Sequence, residues 1–101
     1  MSYFFCKLKT PRPTFSVDMT PAEQQLMGEH MAYWSKYAKS GESVIFGPVA
    51  DPSGAYGITI LEVADEAAAK ELTAKDPVMK PGAGFSYQIV PMPHAFPRDR
   101  V

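Results

Sequence analysis

The hydrophobic pattern starts with a period of two. In SYFFCKLK, Phe4, Cys6 and Leu8 fall on one side and Tyr3, Phe5 and Lys7 on the other, which predicts a strand. TPRPTFSVDM follows, and its prolines predict an irregular connection, long enough in a small domain to rim a site or reach a partner. The period then changes to that of a helix. Thr20 has the chemistry of an N-cap, Pro21 suits the first helical position and Glu23 can close a capping box, so a helix is predicted from there to about Ser40, with Gly41 as its stop. Leu26, Met27, Tyr33, Trp34, Tyr37 and Ala38 share one face of it, with His30 at the centre of the stripe.

ESVIFGPVA predicts a second strand, in which Gly47-Pro48 requires a local break or an edge position. DPSGA reads as a turn and AYGITILEV as a third strand. Asp65 caps a short alanine-rich helix, DEAAAKEL, and FSYQIV makes a fourth strand before a proline-broken tail over 93–101. The order β-α-β-β-α-β predicts an α+β, ferredoxin-like chain: a four-stranded antiparallel sheet with two helices on one face. We read residues 1–101 as a single domain with its core over about 1–92. The strands are apolar on both sides, Ile58 and Ile60 opposite Leu61 and Val63, so the face without helices is expected to be covered by a second copy in a homodimer.

Composition narrows the partners. With 101 residues, 46% hydrophobic, 21% charged and a formal net charge of −1, the chain is globular in character, and its scattered basic residues give no nucleic-acid surface. No apolar run is long enough to span a membrane, and the N-terminus lacks the basic and apolar regions of a signal peptide, so a soluble cytoplasmic protein is expected. The single cysteine, Cys6, forms no disulfide within the chain and reads as a small core residue. The two histidines, His30 and His94, have no metal-ligand spacing, and there is no phosphate-binding glycine loop or nucleophile elbow, so neither a metal nor an organic cofactor is expected.

The segments EHMAYW, FGPVAD, GITILEV, DEAAAKEL and KDP, in that order over roughly residues 20 to 92, resemble the YCII-related family of the dimeric α+β barrel superfamily. The resemblance implies a ferredoxin-like fold dimerised through its sheets, with a pocket between helix and sheet that holds a His-Asp pair. By position these are His30 and Asp76. Relatives include small-molecule lyases. Two positions depart from the family pattern: Met27 stands where relatives often carry an arginine that would favour an anionic substrate, and Val78 where an aromatic residue often follows Asp-Pro.

Taken alone, His30 reads as a hydrogen-bonded core histidine, and Asp76 as a turn residue of the same kind as Asp51 in DPSG. The resemblance implies that they form a catalytic pair, the carboxylate fixing the tautomer of an imidazole that can give and take a proton. Asp76 is then expected within about 3.2 Å of one ring nitrogen, with the other nitrogen facing a cavity and the ring shut off from bulk water. Met27, Tyr33, Trp34, Phe46, Gly47 and Pro48 would line the substrate site. The function expected is general acid/base chemistry on a small organic molecule, of elimination or isomerisation type. The alternative is a dimeric ligand-binding or structural module without catalysis.

Overall fold

We describe residues 1–99 of a computed structural model of the chain; Arg100 and Val101, the end of the predicted tail, lie outside the described residues. The elements are β1 (Ser2–Lys9), α1 (Phe15–Asp18), α2 (Pro21–Ser40), β2 (Ser43–Val49), β3 (Tyr56–Val63), α3 (Glu66–Ala74) and β4 (Ser86–Met92). The strands form one antiparallel sheet in the order β2-β3-β1-β4, the ferredoxin-like arrangement.

Cross-strand pairing sorts the side chains into two faces. Phe4 pairs with Leu61 and Pro91, Cys6 with Thr59 and Ile89, and Leu8 with Gly57 and Tyr87, so these share the face under the helices. Phe4, Cys6, Leu61 and Val63 close there with Trp34 of α2 and Ala69 of α3 into the main core. A second cluster, Leu8, Leu26 and Val78, extends it beneath the start of α2. Burying each large aliphatic or aromatic side chain contributes about 1.5–3 kcal/mol, which offsets the entropy of ordering the strands. On the other face lie Tyr3, Phe5, Ile45, Ile58, Ile60 and Val90; Ile45 is 59% and Val90 40% exposed.

Helix α2 starts as its sequence dictates. Thr20 Oγ1 accepts the Glu23 N–H at 3.1 Å and Glu23 Oε1 accepts the Thr20 N–H at 2.9 Å, a complete capping box. It stops at Gly41, whose φ of +104° only glycine adopts without strain and whose N–H reaches the Tyr37 carbonyl at 3.0 Å. Helix α3 starts where Asp65 accepts the Ala68 N–H at 2.9 Å.

Two expectations need correction and a third resolves between its alternatives. Ala38 is exposed, because the buried stripe on α2 narrows to Leu26 and Trp34 flanked by half-buried Glu23, Met27, His30, Tyr33 and Tyr37. The proline-rich connection is not wholly irregular: Phe15 is buried against Phe85, and that anchor winds Phe15–Asp18 into one helical turn. For Gly47-Pro48 the structure supplies the edge position, since β2 is an edge strand, and the register shift of β2 falls elsewhere, between Ser43 and Ile45.

Candidate functional site

Three side chains from two elements, α2 and β4, meet at the carboxylate of a fourth residue, Asp76. Asp76 sits at the corner after α3, where its N–H bonds back to the Thr73 carbonyl at 3.2 Å and its own carbonyl accepts the Met79 N–H at 2.9 Å. That turn aims the side chain inward, leaving the residue 2% exposed. Oδ1 accepts the Val78 N–H at 3.1 Å. Oδ2 accepts from Trp34 Nε1 at 2.8 Å and from the Tyr87 hydroxyl at 2.5 Å, and lies 2.7 Å from His30 Nδ1. Trp34 Nε1 also reaches the Tyr87 oxygen at 3.0 Å.

Helical and strand periodicity explain the convergence. His30 and Trp34 are four residues apart and so share a face of α2. Tyr87 pairs with Leu8 and so projects to the helix side of β4. Burial alone would push the Asp76 carboxyl up, but the hydrogen bonds from His30 and Tyr87, the His30 charge and the Val78 N–H outweigh it and hold the group below its ordinary value. Burial and the neighbouring carboxylate push the Tyr87 hydroxyl up, so it keeps its proton and donates.

An ionised carboxylate can only accept hydrogen bonds, so His30 Nδ1 carries a proton in this arrangement. In the neutral ring the lone pair is then on Nε2. Nε2 has no hydrogen-bond partner among the described residues, and none of their buried side-chain nitrogens or oxygens is left unpaired. The ring is not shut off from water as the helix phase suggested; its side chain keeps 11% exposure, because His30 lies at the edge of the stripe where α2 passes the Asp76 corner.

An open cleft of about 410 Å³ runs along the first half of α2. Ala22, Glu23, Gln25, Leu26 and Glu29 form one wall, and Lys80, Gly82, Ala83 and Phe85 the other. It ends at Glu29 and Leu26, the residue before His30 and the residue one turn before it; His30 itself is not in the lining.

The other expected site residues are dispersed. Met27 packs against the Leu8, Leu26 and Val78 cluster. Tyr33 donates its hydroxyl to the Leu72 carbonyl at 2.5 Å, bracing α2 against α3. Trp34 is fully buried and belongs to the Asp76 network. Phe46 packs on the main core from β2, Gly47 pairs with Ile58 on the opposite sheet face, and Pro48 is exposed. The structure does not bring these three to His30 and Tyr87: β2 and β4 are opposite edges of the sheet, with β3 and β1 between them. Cys6 is buried, which pushes its thiol up to about 12 and keeps it unreactive.

Tyr87 is the participant that sequence reasoning missed. Its signal was present, since alternation in FSYQIV puts it on the inward side, and a buried tyrosine needs a partner for its hydroxyl.

No helix among the described residues is long and apolar enough to cross a membrane. No curated protein matches the chain. The YCII-related domain matches it over residues 3–93, a span that takes in every strand and helix but for Ser2 at the start of β1, together with the whole His30–Asp76–Trp34–Tyr87 network, and the chain accordingly belongs to the YCII-related domain family.

Proposed function

We propose that His30 and Asp76 form a general acid/base pair that moves a proton on a small organic molecule, in an elimination or an isomerisation. One observation carries the reading. Nδ1 is held 2.7 Å from a carboxylate already fixed by Trp34, Tyr87 and Val78, while Nε2 has no partner among the described residues and the ring keeps a path to the surface. Nε2 would take a proton from a substrate carbon and Asp76 would stabilise the imidazolium that forms. In an elimination, the C–H electron pair becomes the new double bond and the leaving group departs with its own pair. In an isomerisation, the proton returns from Nε2 to a different carbon. The step calls on no metal or organic cofactor.

The same reading takes the molecule as a homodimer through the open sheet face, since Phe5, Ile45, Ile58, Ile60 and Val90 form an apolar surface there. Sedimentation at micromolar concentration is expected to give the dimer mass; a clean monomer would remove that part. The single buried thiol suits a reducing compartment such as the cytoplasm.

The chemistry is tested by exchange. Small carbonyl compounds incubated with the protein in D2O should lose proton signal at the carbon next to the carbonyl, and His30→Ala should abolish that loss while keeping the fold. Exchange that survives His30→Ala would overturn the reading. Ligand binding without any exchange would favour the non-catalytic binding module, in which the Asp76 network serves the fold alone.

A further inference from the structure

We infer that the cleft beside His30 binds a small zwitterion, with its anionic group at Lys80, its cationic group at Glu29 and its apolar body on Leu26 and Phe85. The cleft borders the acid/base site at Leu26 and Glu29 without including His30, so the substrate class it names rests on that reading for the chemistry, though not for the binding.

The cleft is built rather than incidental, because the β1–α2 connection grips both of its walls. On the α2 wall, Arg12 clasps Glu23 through two hydrogen bonds, Nη1 to Oε2 at 2.9 Å and Nη2 to Oε1 at 2.7 Å. Arg12 Nε also reaches Asp18 Oδ1 at 2.8 Å, which ties the connection to itself. On the other wall, Phe15 meets Phe85 edge to face, with ring centroids 5.2 Å apart. Pro11 lies against Gly84, whose φ is +87° and where a Cβ would come within 3.0 Å of the proline ring. The separation of the walls is thus set by contacts that fold with the domain.

Its charges are then sorted. Glu23 is matched by Arg12 and by the Thr20 N–H, which together hold its carboxyl down at about 2, so it offers no free charge to a ligand. Glu29 and Lys80 differ. Each lines the cleft, they stand on opposite walls, and neither makes an ion pair within 4.0 Å among the described residues. Between them the floor is apolar: Leu26 is buried, and Ala83 and Phe85 pack on the Leu8, Leu26 and Val78 cluster. A purely anionic ligand would meet Lys80 but be repelled by Glu29, and a purely cationic one the reverse. A molecule carrying both charges about an apolar body complements both walls at once. The volume, about 410 Å³, is that of a small-molecule site.

The test uses phenylalanine as the probe, with 3-phenylpropionate and 2-phenylethylamine as its two half-charged analogues. Binding is read from backbone amide shifts at Gln25, Glu29, Gly82 and Ala83. Phenylalanine is expected to bind about tenfold more tightly than either analogue, a modest factor because the two charges are partly solvated. Glu29→Gln should remove the preference over 3-phenylpropionate and Lys80→Met that over 2-phenylethylamine, and the reversed pair E29K/K80E should restore both. Both side chains are exposed, so these variants keep the fold. Equal binding of the three probes, or no shift at the cleft amides with millimolar phenylalanine, would overturn the inference. Because His30→Ala leaves Glu29 and Lys80 in place, the preference should persist in that variant. Binding without exchange would sink the catalytic reading alone, and exchange without a zwitterion preference would sink the ligand class alone.

Discussion

Two Asp-Pro pairs occur in this chain, Asp51-Pro52 and Asp76-Pro77, and they end in opposite circumstances. Asp51 stays local. Its Oδ1 accepts the N–H and the hydroxyl of Ser53 at 2.8 and 2.7 Å, and its carbonyl accepts the Gly54 N–H at 2.9 Å, which completes a turn between β2 and β3. Asp76 makes the equivalent local bond, to the Val78 N–H, and then three more to side chains 11 to 46 residues away. The same dipeptide is a turn in one place and the hub of a buried hydrogen-bond network in the other. The difference is not in the residue but in what the fold docks onto it.

The comparison breaks most sharply at Asp76→Ala. It strands the Trp34 N–H and the Tyr87 hydroxyl in the core, and losing one member of such a buried network costs about 3–5 kcal/mol. Urea unfolding should register that loss, along with loss of any exchange activity. A destabilisation as small as that of Asp51→Ala would mean the network is not the anchor described.

Tyr87→Phe removes one donor and leaves the carboxylate, His30 and Trp34 in place. A hydrogen bond to a charged group contributes about 1.5–3 kcal/mol, so the same titration should show an intermediate loss. Activity should fall but persist, because His30 Nδ1 still has its acceptor.

Acid stability separates the two aspartates further. Both carboxyls are held below their ordinary value in the fold, Asp76 by its donors against the opposing pull of burial, and Asp51 by its Ser53 hydrogen bonds. A depressed folded value stabilises above the unfolded value of about 3.9, and that stability is lost as pH falls through the folded one. The gap between wild type and Asp76→Asn should therefore be full at neutral pH and close as pH drops below about 4. The corresponding gap for Asp51→Asn should follow the same sign but be much smaller, since that carboxylate is solvated. A gap for Asp76→Asn that widens in acid would reverse the assignment of its ionised state.

The smallest effect is expected from Asp51→Ala at neutral pH. Ser53 loses its acceptor, but water replaces it, and the thermal midpoint should move by no more than about 2 °C. A larger fall would show that this turn positions β2 and β3 more than its exposure implies.

Much of the molecule was legible residue by residue. The alternation of Phe4, Cys6 and Leu8, the capping box of Thr20 and Glu23, the Gly41 stop and the Asp65 cap all involve atoms within about four residues of one another. Such patterns act on the chain before any long-range contact forms. A misreading arose where a distant partner overrode local preference: Phe85 drew Phe15 into a helical turn. Of the candidate site, His30 and Asp76 were legible by resemblance and Trp34 as a lining residue, whereas Tyr87 was not.

The sequence by itself determined the periods, the caps and the stops, hence the four strands and the two longer helices, their order, and most of the residues that face inward. It could not determine that Tyr87 and Trp34 share one oxygen of Asp76 with His30, that Arg12 grips Glu23, or that His30 keeps a path to water. Those contacts join residues from 11 to 53 positions apart along the chain. They depend on how α2 crosses the sheet and where the corner after α3 comes to rest. Docking of that kind is set by the packing of Leu26, Trp34 and Val78 against β1 as a whole, and only the tertiary structure decides it.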